Sequence, residues 1–210
     1  VTEGSLKRVW KDVLGIDIQT PFVKMKYADA MNNYGTDKPD TRFEMLLNNI
    51  SDWALTTECG FFKSAIENGG QVKCIVAKDA ASKYSRKELD RLTLLAKKYH
   101  AGGLAWLKYE NGTLNGSVAK FVSEENKDAL VELLGLVSND LVLIVADKLA
   151  NCNQSLGALR LQLGKELDLI DNDKFNFLWV VDWPLFEYNE EEGRYEAAHH
   201  PFTSPKDGDE

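Results

Sequence analysis

Two adjacent histidines near the end of the chain have the side chains best suited to binding chemistry. His199 and His200 are two of the three histidines among 210 residues, and Pro201 follows them directly. Proline disfavours the helical conformation for the residue before it, so we expect His200 to be extended. If His199 is extended as well, the two imidazoles point to opposite faces of a strand and cannot form a joint metal clamp without a bulge.

One of these two rings could instead face an anionic ligand. An imidazole is protonated at small cost near neutral pH, so it suits a carboxylate or a phosphate. A charge-assisted hydrogen bond of that kind contributes about 1.5–3 kcal/mol. Taken alone, the pair is also compatible with a purely structural role, and the local pattern does not decide between the two.

Other catalytic and metal-binding patterns are missing from the sequence. It contains no G-x-x-x-x-G-K-[ST] or G-x-G-x-x-G phosphate loop and no G-x-S-x-G nucleophile elbow. The three cysteines, Cys59, Cys74 and Cys152, form no C-x-x-C pair, so neither a zinc ribbon nor a redox motif is indicated. We therefore expect no metal site, and reduced, mostly buried thiols in a cytoplasmic protein.

The net charge of −8 opposes non-specific binding of nucleic acid over the whole surface, but it leaves room for a local basic patch. Between Lys78 and Lys98 the chain carries seven basic residues against three acidic ones. Such a run is typical of a solvated helix face, and it is also a candidate nucleic-acid contact. No uninterrupted apolar run of about 18 residues occurs, and the first residues lack a signal-peptide core, so we expect no membrane association.

The middle of the chain predicts a compact α/β unit over residues 60–169. We expect strands at 72–77, 104–109 and 141–146, a further strand at 117–122, and a connecting strand at 53–62. Ser85 and Glu88 have the spacing of a capping box, Ser123 could cap a second helix, and a leucine stripe from Leu156 to Leu167 indicates a third. These elements predict a small sheet covered by helices on one face.

The two ends of the chain read differently from the middle. Apolar residues from Leu6 to Leu14 follow a helical period that Gly15 should end, and a short helix is expected over 27–34. Residues 175–188 favour strand, and Gly193 lies in a hairpin-like loop rich in acidic residues. Each end has an apolar face without a partner of its own, which is the pattern expected when one domain is inserted into another.

Three long motifs resemble bacterial-type aspartyl-tRNA synthetases. "KYADAMNNYGTDKPDTRFE" resembles the signature Y-x-E-A-M-x-x-Y-G-S-D-K-P-D-x-R-F, "LGALRLQLGKELDLID" resembles the end of the insert of these enzymes, and "FLWVVDWPLFEYNEEEGRYEAAHHPFTSP" resembles their F-L-W-V-x-D-F-P-x-F-E … H-H-P-F-T segment. Their order also agrees. The departures are mild: Asp29 for glutamate, Thr36 for serine and Trp183 for phenylalanine.

The resemblance implies an α+β architecture of three parts. Residues 60–169 would form a GAD insert domain, a two-layer unit with a mainly antiparallel sheet. Residues 1–59 and 170–210 would be partial segments of a class II synthetase catalytic domain. The parent enzyme would be a cytoplasmic homodimer that activates L-aspartate with ATP and Mg²⁺ and transfers it to tRNA(Asp).

The same resemblance implies the roles of individual residues. His199 would line the aspartate pocket with His200 beside it, and no catalytic residue or metal ligand is carried over. A tRNA contact is a further hypothesis for Arg86, Lys87 and Arg91. The family's ATP-gripping F-R-D/E loop and its late G-x-G-x-G-x-x-R segment do not occur in these 210 residues. The fragment alone is therefore expected to be inactive and to bind neither ATP nor Mg²⁺ tightly.

One alternative explains the middle of the chain equally well. A GAD-containing, tRNA-binding subunit of a tRNA-dependent amidotransferase would account for residues 60–169, but not for the two outer motifs. Whether the parent enzyme also charges tRNA(Asn) is left open by the sequence.

Overall fold

A computed structural model of the chain describes residues 2–189 and 192–198, so the predicted site residues His199 and His200 lie outside the described residues. The chain divides into two compact units. The larger unit is Ala30–Asn176, and the smaller one combines the described parts of Val1–Asp29 and Phe177–Glu210. The domain boundaries expected from the sequence at 59/60 and 169/170 stay a prediction.

The described residues form a mixture of helices and strands. The helices are α1 Thr2–Leu14, α2 Tyr27–Tyr34, α3 Ser51–Thr56, α4 Gly60–Glu67, α5 Arg86–Lys98, α6 Glu124–Leu134 and α7 Leu149–Glu166. The strands are β1 Val23–Lys26, β2 Asn48–Asn49, β3 Gln71–Ala77, β4 Ala105–Glu110, β5 Thr113–Gly116, β6 Asp140–Asp147, β7 Leu178–Val181, β8 Phe186–Asn189 and β9 Arg194–Ala197. Short 3₁₀ helices occur at Ala81–Lys83 and Ala119–Phe121.

The larger unit is built on a five-stranded antiparallel sheet with the order β2-β3-β6-β4-β5. Strand β6 is central, with Ile144 opposite Cys74 on one side and Ala105 on the other. Its first six residues are buried, as the continuous apolar run 141–146 predicts. The expected α+β class with a mainly antiparallel sheet is confirmed.

One detail of the predicted fold is corrected, because helices cover both faces of this sheet. Leu143 packs in one core with side chains of α5 and α7, including Leu92 and Leu156. The neighbouring Ile144 packs in a second core with Phe62 of α4. Successive side chains of a strand point to opposite faces, so a strand that is apolar at every position needs a cover on each side.

Both predicted serine caps are confirmed. The Ser85 side chain accepts a hydrogen bond from the backbone N–H of Glu88 at the start of α5 (3.4 Å), and Ser123 accepts one from Asn126 at the start of α6 (3.2 Å). Each bond satisfies a backbone donor that has no partner within its own helix.

Two predicted strands are wrong. Residues 53–62 belong to α3 and α4, separated by a break where the Thr57 hydroxyl donates to the carbonyl oxygen of Ala54 (2.7 Å). The strand expected at 117–122 is found earlier in the chain, as β5. It begins there because Asn111 and Gly112, both with positive φ (51° and 81°), reverse the chain directly after β4. This is the geometry of a two-residue hairpin turn, and it pairs Glu110 directly with Thr113.

The smaller unit contains α1, the parallel strand pair β1 and β7, and the hairpin of β8 and β9. The helix expected at the start of the chain is confirmed, and Gly15 follows it with φ of 71°. Phe177 contacts two aromatic rings, Trp10 edge-on (5.0 Å between centroids) and Phe22 stacked (5.2 Å). The indole of Trp179 donates to a Glu3 carboxylate oxygen (2.7 Å).

Two observations on the described residues concern membrane insertion and metal binding. Among these residues, none of the helices combines the length and the apolar character needed to cross a membrane. Within the same part of the chain, no three His, Cys, Asp or Glu side chains gather as a metal ion would require.

Candidate functional site

The β8–β9 hairpin leads the chain to the predicted histidines. Phe186 pairs with Ala197 at its open end, and the backbone N–H of Ala198 donates to the carbonyl oxygen of Leu185 (3.0 Å). His199 is the next residue in the sequence. The described structure therefore positions the residues up to Ala198 beside the end of the D-W-P-L segment, within the smaller unit.

The same unit brings the two outer motifs together. Tyr27 directly follows β1 and Asp182 directly follows β7, and since these strands are parallel, both residues lie at one edge of the pair. The rings of Tyr27 and Trp183 are 4.8 Å apart, and the Tyr27 hydroxyl donates to a Glu187 carboxylate oxygen (3.4 Å). Motifs separated by about 150 residues thus meet within the smaller unit.

Asp182 has an unusual backbone conformation at this edge. Its φ is 60°, in the left-handed region that a residue with a side chain rarely adopts. Trp183 follows, and its indole N–H donates back to the carbonyl oxygen of Val180 (2.7 Å). Together these two features turn the chain sharply out of β7 towards the hairpin.

The first motif continues into the larger unit, where a buried arginine of α7 holds it. Arg160 is 1% exposed. Its guanidinium donates to four backbone carbonyl oxygens, those of Asp40 (3.0 Å), Phe43 (2.8 Å), Glu44 (3.0 Å) and Met45 (3.0 Å). Burial lowers the pKa of Arg160 to about 10, so the side chain is still charged at neutral pH.

Two aromatic rings enclose the same guanidinium. Its central carbon lies 3.9 Å from the ring centroid of Phe43 and 4.9 Å from that of Tyr34. The electron-rich face of an aromatic ring attracts a cation, most strongly where water is excluded. The buried charge of Arg160 is therefore compensated by carbonyl dipoles and ring faces, without a direct carboxylate partner among its described contacts.

Two glycines let the motif and α7 approach closely. A Cβ added to Gly35 would lie 2.1 Å from the carbonyl oxygen of Asn153, and one added to Gly157 would lie 2.9 Å from that of Tyr34. Gly35 also has φ of 71°. Any larger residue at either position would have to push the two backbones apart.

A buried lysine adds a further link between the motif and the sheet. Lys73 of β3 is 2% exposed, and its Nζ donates to the side-chain oxygen of Asn153 (2.7 Å) and to the carbonyl oxygen of Asn32 (2.9 Å). Burial lowers the pKa of Lys73. Both partners are neutral, so these bonds replace the water that the ammonium group loses on folding.

Within the motif, Asp40 and Arg42 form a bidentate ion pair. Arg42 donates from Nε (2.9 Å) and Nη2 (2.8 Å), and its backbone N–H adds a third bond to the same carboxylate (3.1 Å). The side-chain hydrogen bonds from Arg42 hold the pKa of Asp40 below its usual range, against the opposing effect of burial. These three hydrogen bonds to one carboxylate close the turn from Asp40 to Arg42.

The structure separates the three residues predicted to contact tRNA. All three lie on α5, and Arg86 and Lys87 are exposed in its first turn. Arg91 instead pairs with Glu88 (3.1 Å) and with Glu166 of α7 (2.9 Å). Hydrogen bonding to Glu166 raises the pKa of Arg91. Arg91 therefore ties α5 to α7 and offers less of its charge to a ligand than Lys87 does.

Sequence reasoning missed Arg160 and Lys73. Asn153, Gly157, Arg160 and Gly164 follow each other at intervals of four, three and four residues, so they form one face of α7. We call these four residues the docking stripe. A glycine inside a helix costs about 1 kcal/mol relative to alanine, so two of them in one face are a signal that another backbone packs closely there.

Known proteins are similar to this chain in its middle part and over almost its whole length. Residues 62–156 match the family model of the GAD domain, so the larger unit contains a GAD domain. Almost the whole chain is similar to the aspartate–tRNA(Asp/Asn) ligases of Bacillus mycoides, Bacillus cytotoxicus and Bacillus thuringiensis, each 58% identical over 205 residues. These matches cover 97% of this chain but only 34% of each relative.

The chain thus spans about a third of the length of the curated ligases that it matches. The resemblance to bacterial-type aspartyl-tRNA synthetases that carry a GAD insert is confirmed. The similarity includes both flanks of the GAD domain, where the outer motifs lie.

Proposed function

We propose that this chain is part of an aspartate–tRNA ligase. The whole enzyme would activate L-aspartate with ATP and Mg²⁺ to aspartyl-adenylate and transfer the aspartyl group to tRNA(Asp). The observation that carries the proposal is the 58% identity over 205 residues, which extends beyond residues 62–156 on both sides. A GAD-containing amidotransferase subunit, the alternative, would account for the GAD domain but not for ligase-like flanks.

In this proposal His199 and His200 contribute to the aspartate pocket. A protonated imidazole held near the substrate carboxylate gives a charge-assisted hydrogen bond. The β8–β9 hairpin supports the assignment, since its last paired residue, Ala197, lies two positions before His199 in the sequence.

The relatives are named as ligases for both tRNA(Asp) and tRNA(Asn), and we extend this dual specificity to the enzyme proposed here. We also propose that it is a cytoplasmic homodimer, as the resemblance implies. A purified enzyme that aspartylates tRNA(Asp) but leaves tRNA(Asn) uncharged would contradict the dual specificity without affecting the ligase assignment.

A contact with tRNA is proposed for the exposed side of α5, which includes Arg86 and Lys87 in its first turn. Lys87, Arg91, Leu94 and Lys98 follow each other at intervals of four, three and four residues, so they share one face. Leu94 is 69% exposed in the middle of this basic face. Lysine ammonium groups on such a surface attract phosphates and release counterions, which makes the contact dependent on salt.

A chimera tests the ligase assignment directly. The matching third of the Bacillus mycoides ligase would be replaced by the 205 aligned residues of this chain, and aspartate-dependent ATP–pyrophosphate exchange and aspartylation of tRNA(Asp) would be measured. We expect both activities. A folded chimera that performs neither, beside an active parental ligase, would overturn the proposal. Residues 1–210 alone are expected to give no exchange signal.

A further inference from the structure

The docking stripe of α7 holds a segment that is both strained and charged. The segment is residues 35–45, and Met45 within it has φ of 74° without being glycine. Arg160 Nε donates to the carbonyl oxygen of this same residue (3.0 Å). A backbone in a sparsely populated region persists only where its surroundings over-determine it, and such places are often functional.

The surroundings do over-determine this segment. Arg160 donates hydrogen bonds to four carbonyl oxygens of residues 40–45. Gly35 and Gly157 bring the backbones of the segment and of α7 into contact. A Cβ at Gly164 would lie 2.7 Å from the ring of Phe43. All four stripe residues therefore contact the segment: Asn153 and Gly157 at Gly35, and Arg160 and Gly164 at residues 40–45.

The fixed segment carries polar side chains that are at least partly exposed. Asp37 and Lys38 lie at its tip with partly or fully exposed side chains, and the Asp40–Arg42 pair follows. Tyr34, Thr41 and Phe43, together with Val76 and Lys78, are among the residues that line a cavity of about 670 Å³. Charged side chains on a rigidly held backbone beside a cavity are the arrangement that a binding or catalytic site requires.

We propose that Arg160 is a positioning residue of the ligase: it holds residues 40–45 in the conformation that the enzyme uses for aspartate activation. This inference rests on the function proposed above. Arg160 is 1% exposed and donates its hydrogen bonds to carbonyl oxygens of residues 40–45, so we place its effect on the segment and not on the substrate. The planar guanidinium reaches four carbonyls from one position, which a lysine ammonium group cannot reproduce.

The first test measures how firmly residues 35–45 are held on α7, and it requires no enzyme activity. Amide hydrogen exchange across residues 35–45 would be compared between the 210-residue chain and its Arg160→Lys variant. We expect faster exchange in this segment, with exchange in β3 and β6 unchanged. Unaltered exchange at 35–45 would overturn the inference, whatever the activity of the chain.

The second test measures kinetics in the ligase chimera. Arg160→Lys should lower kcat/KM for aspartate-dependent ATP–pyrophosphate exchange at least about tenfold per titrated active site, because small displacements of a positioned group cost rate steeply. Lys165→Met, which removes an exposed charge from the same helix, should leave the value unchanged. Leu159→Ala should lower the unfolding temperature through the core, with kinetics per active site preserved.

These controls separate the possible outcomes. An active chimera in which Arg160→Lys has the kinetic constants of the unmodified protein would overturn the positioning role. The positioning role would also be overturned if Arg160→Lys reduced only the fraction of active sites. It would be overturned as well if Leu159→Ala lowered kcat/KM as much as Arg160→Lys does, because the loss would then reflect general destabilisation. An inactive unmodified chimera would instead contradict the proposed function, and the exchange experiment would still decide the docking.

Discussion

Gly35 and Gly157 lie backbone to backbone, so that a Cβ on Gly157 would be 3.0 Å from the carbonyl oxygen of Gly35. One residue belongs to the synthetase-like motif and the other to the last helix of the larger unit. Their contact has no tolerance for a side chain, which makes it a sensitive probe of how the motif docks.

Gly157→Ala is expected to destabilise the larger unit. Alanine favours a helix over glycine by about 1 kcal/mol, but here its Cβ would press against backbone atoms that cannot rotate away. Overpacking of this kind typically costs about 1–3 kcal/mol, so the net change in unfolding free energy should be a loss. Urea denaturation measures it. Gly60→Ala is the matched control in α4, where a Cβ meets nothing within 4 Å and stability should not fall.

Gly35→Ala should be the more damaging of the two glycine substitutions. The position combines a Cβ contact of 2.1 Å with φ of 71°, so the new side chain is opposed by both space and backbone conformation. We expect a larger drop in the urea midpoint than for Gly157→Ala. Equal stability of Gly35→Ala and the unmodified chain would show that the motif is not docked on α7 as described.

Loss of stability in acid should depend partly on Asp40. Hydrogen bonds from Arg42 lower its pKa in the folded state, so its stabilising contribution is present above the unfolded pKa and is lost as the pH falls through the folded value. Between pH 6 and pH 3, Asp40→Asn should therefore lose less unfolding free energy than the unmodified chain. Asp173→Asn, at an exposed position in the same unit, should retain the steeper decline.

The three thiols are expected to be unreactive in the native protein. Cys59, Cys74 and Cys152 are buried and unpaired with one another. Burial raises the pKa of Cys74 to about 12 and that of Cys152 to about 11, so almost no thiolate forms at pH 8. A thiol reagent such as Ellman's reagent should titrate none of them rapidly in buffer and all three in denaturant. Rapid reaction of a native thiol would contradict the described burial.

Charge reversal on α5 should weaken tRNA binding in the ligase chimera. Lys87→Glu combined with Arg86→Glu is expected to raise the Michaelis constant for tRNA and to reduce its dependence on salt, with aspartate activation unchanged. Arg91→Glu should also destabilise the fold, because Arg91 bonds Glu166. Unchanged tRNA kinetics in the double variant would leave this face a solvated surface. Lys120→Glu combined with Lys165→Glu, at two exposed positions outside α5, is the control with the same change of charge.

Substitution of His199 should separate aspartate binding from tRNA binding. In the same chimera, His199→Ala is expected to raise the Michaelis constant for aspartate by more than about tenfold, as loss of one charge-assisted hydrogen bond predicts. The Michaelis constant for tRNA should change little. An aspartate constant equal to that of the unmodified chimera would remove His199 from the substrate pocket.

Local signals in the sequence determined much of the fold. The serines at 85 and 123 cap their helices because a cap needs only a side chain and a backbone N–H three residues away. The apolar run at 141–146 similarly predicts a buried central strand from its own composition. The outer motifs indicated the family for the same reason, since each is a continuous stretch of chain.

Tertiary structure decided what depends on distant partners. Residues 53–56 and 60–62 are helical because Trp53 and Phe62 join a core built with β3, β6 and α6, which no local pattern contains. Arg160 reaches carbonyl groups 115 to 120 residues away, so its role exists only once α7 and the motif are packed together. Side-chain type and spacing act over one or two turns, whereas such contacts are fixed by the burial of the whole chain.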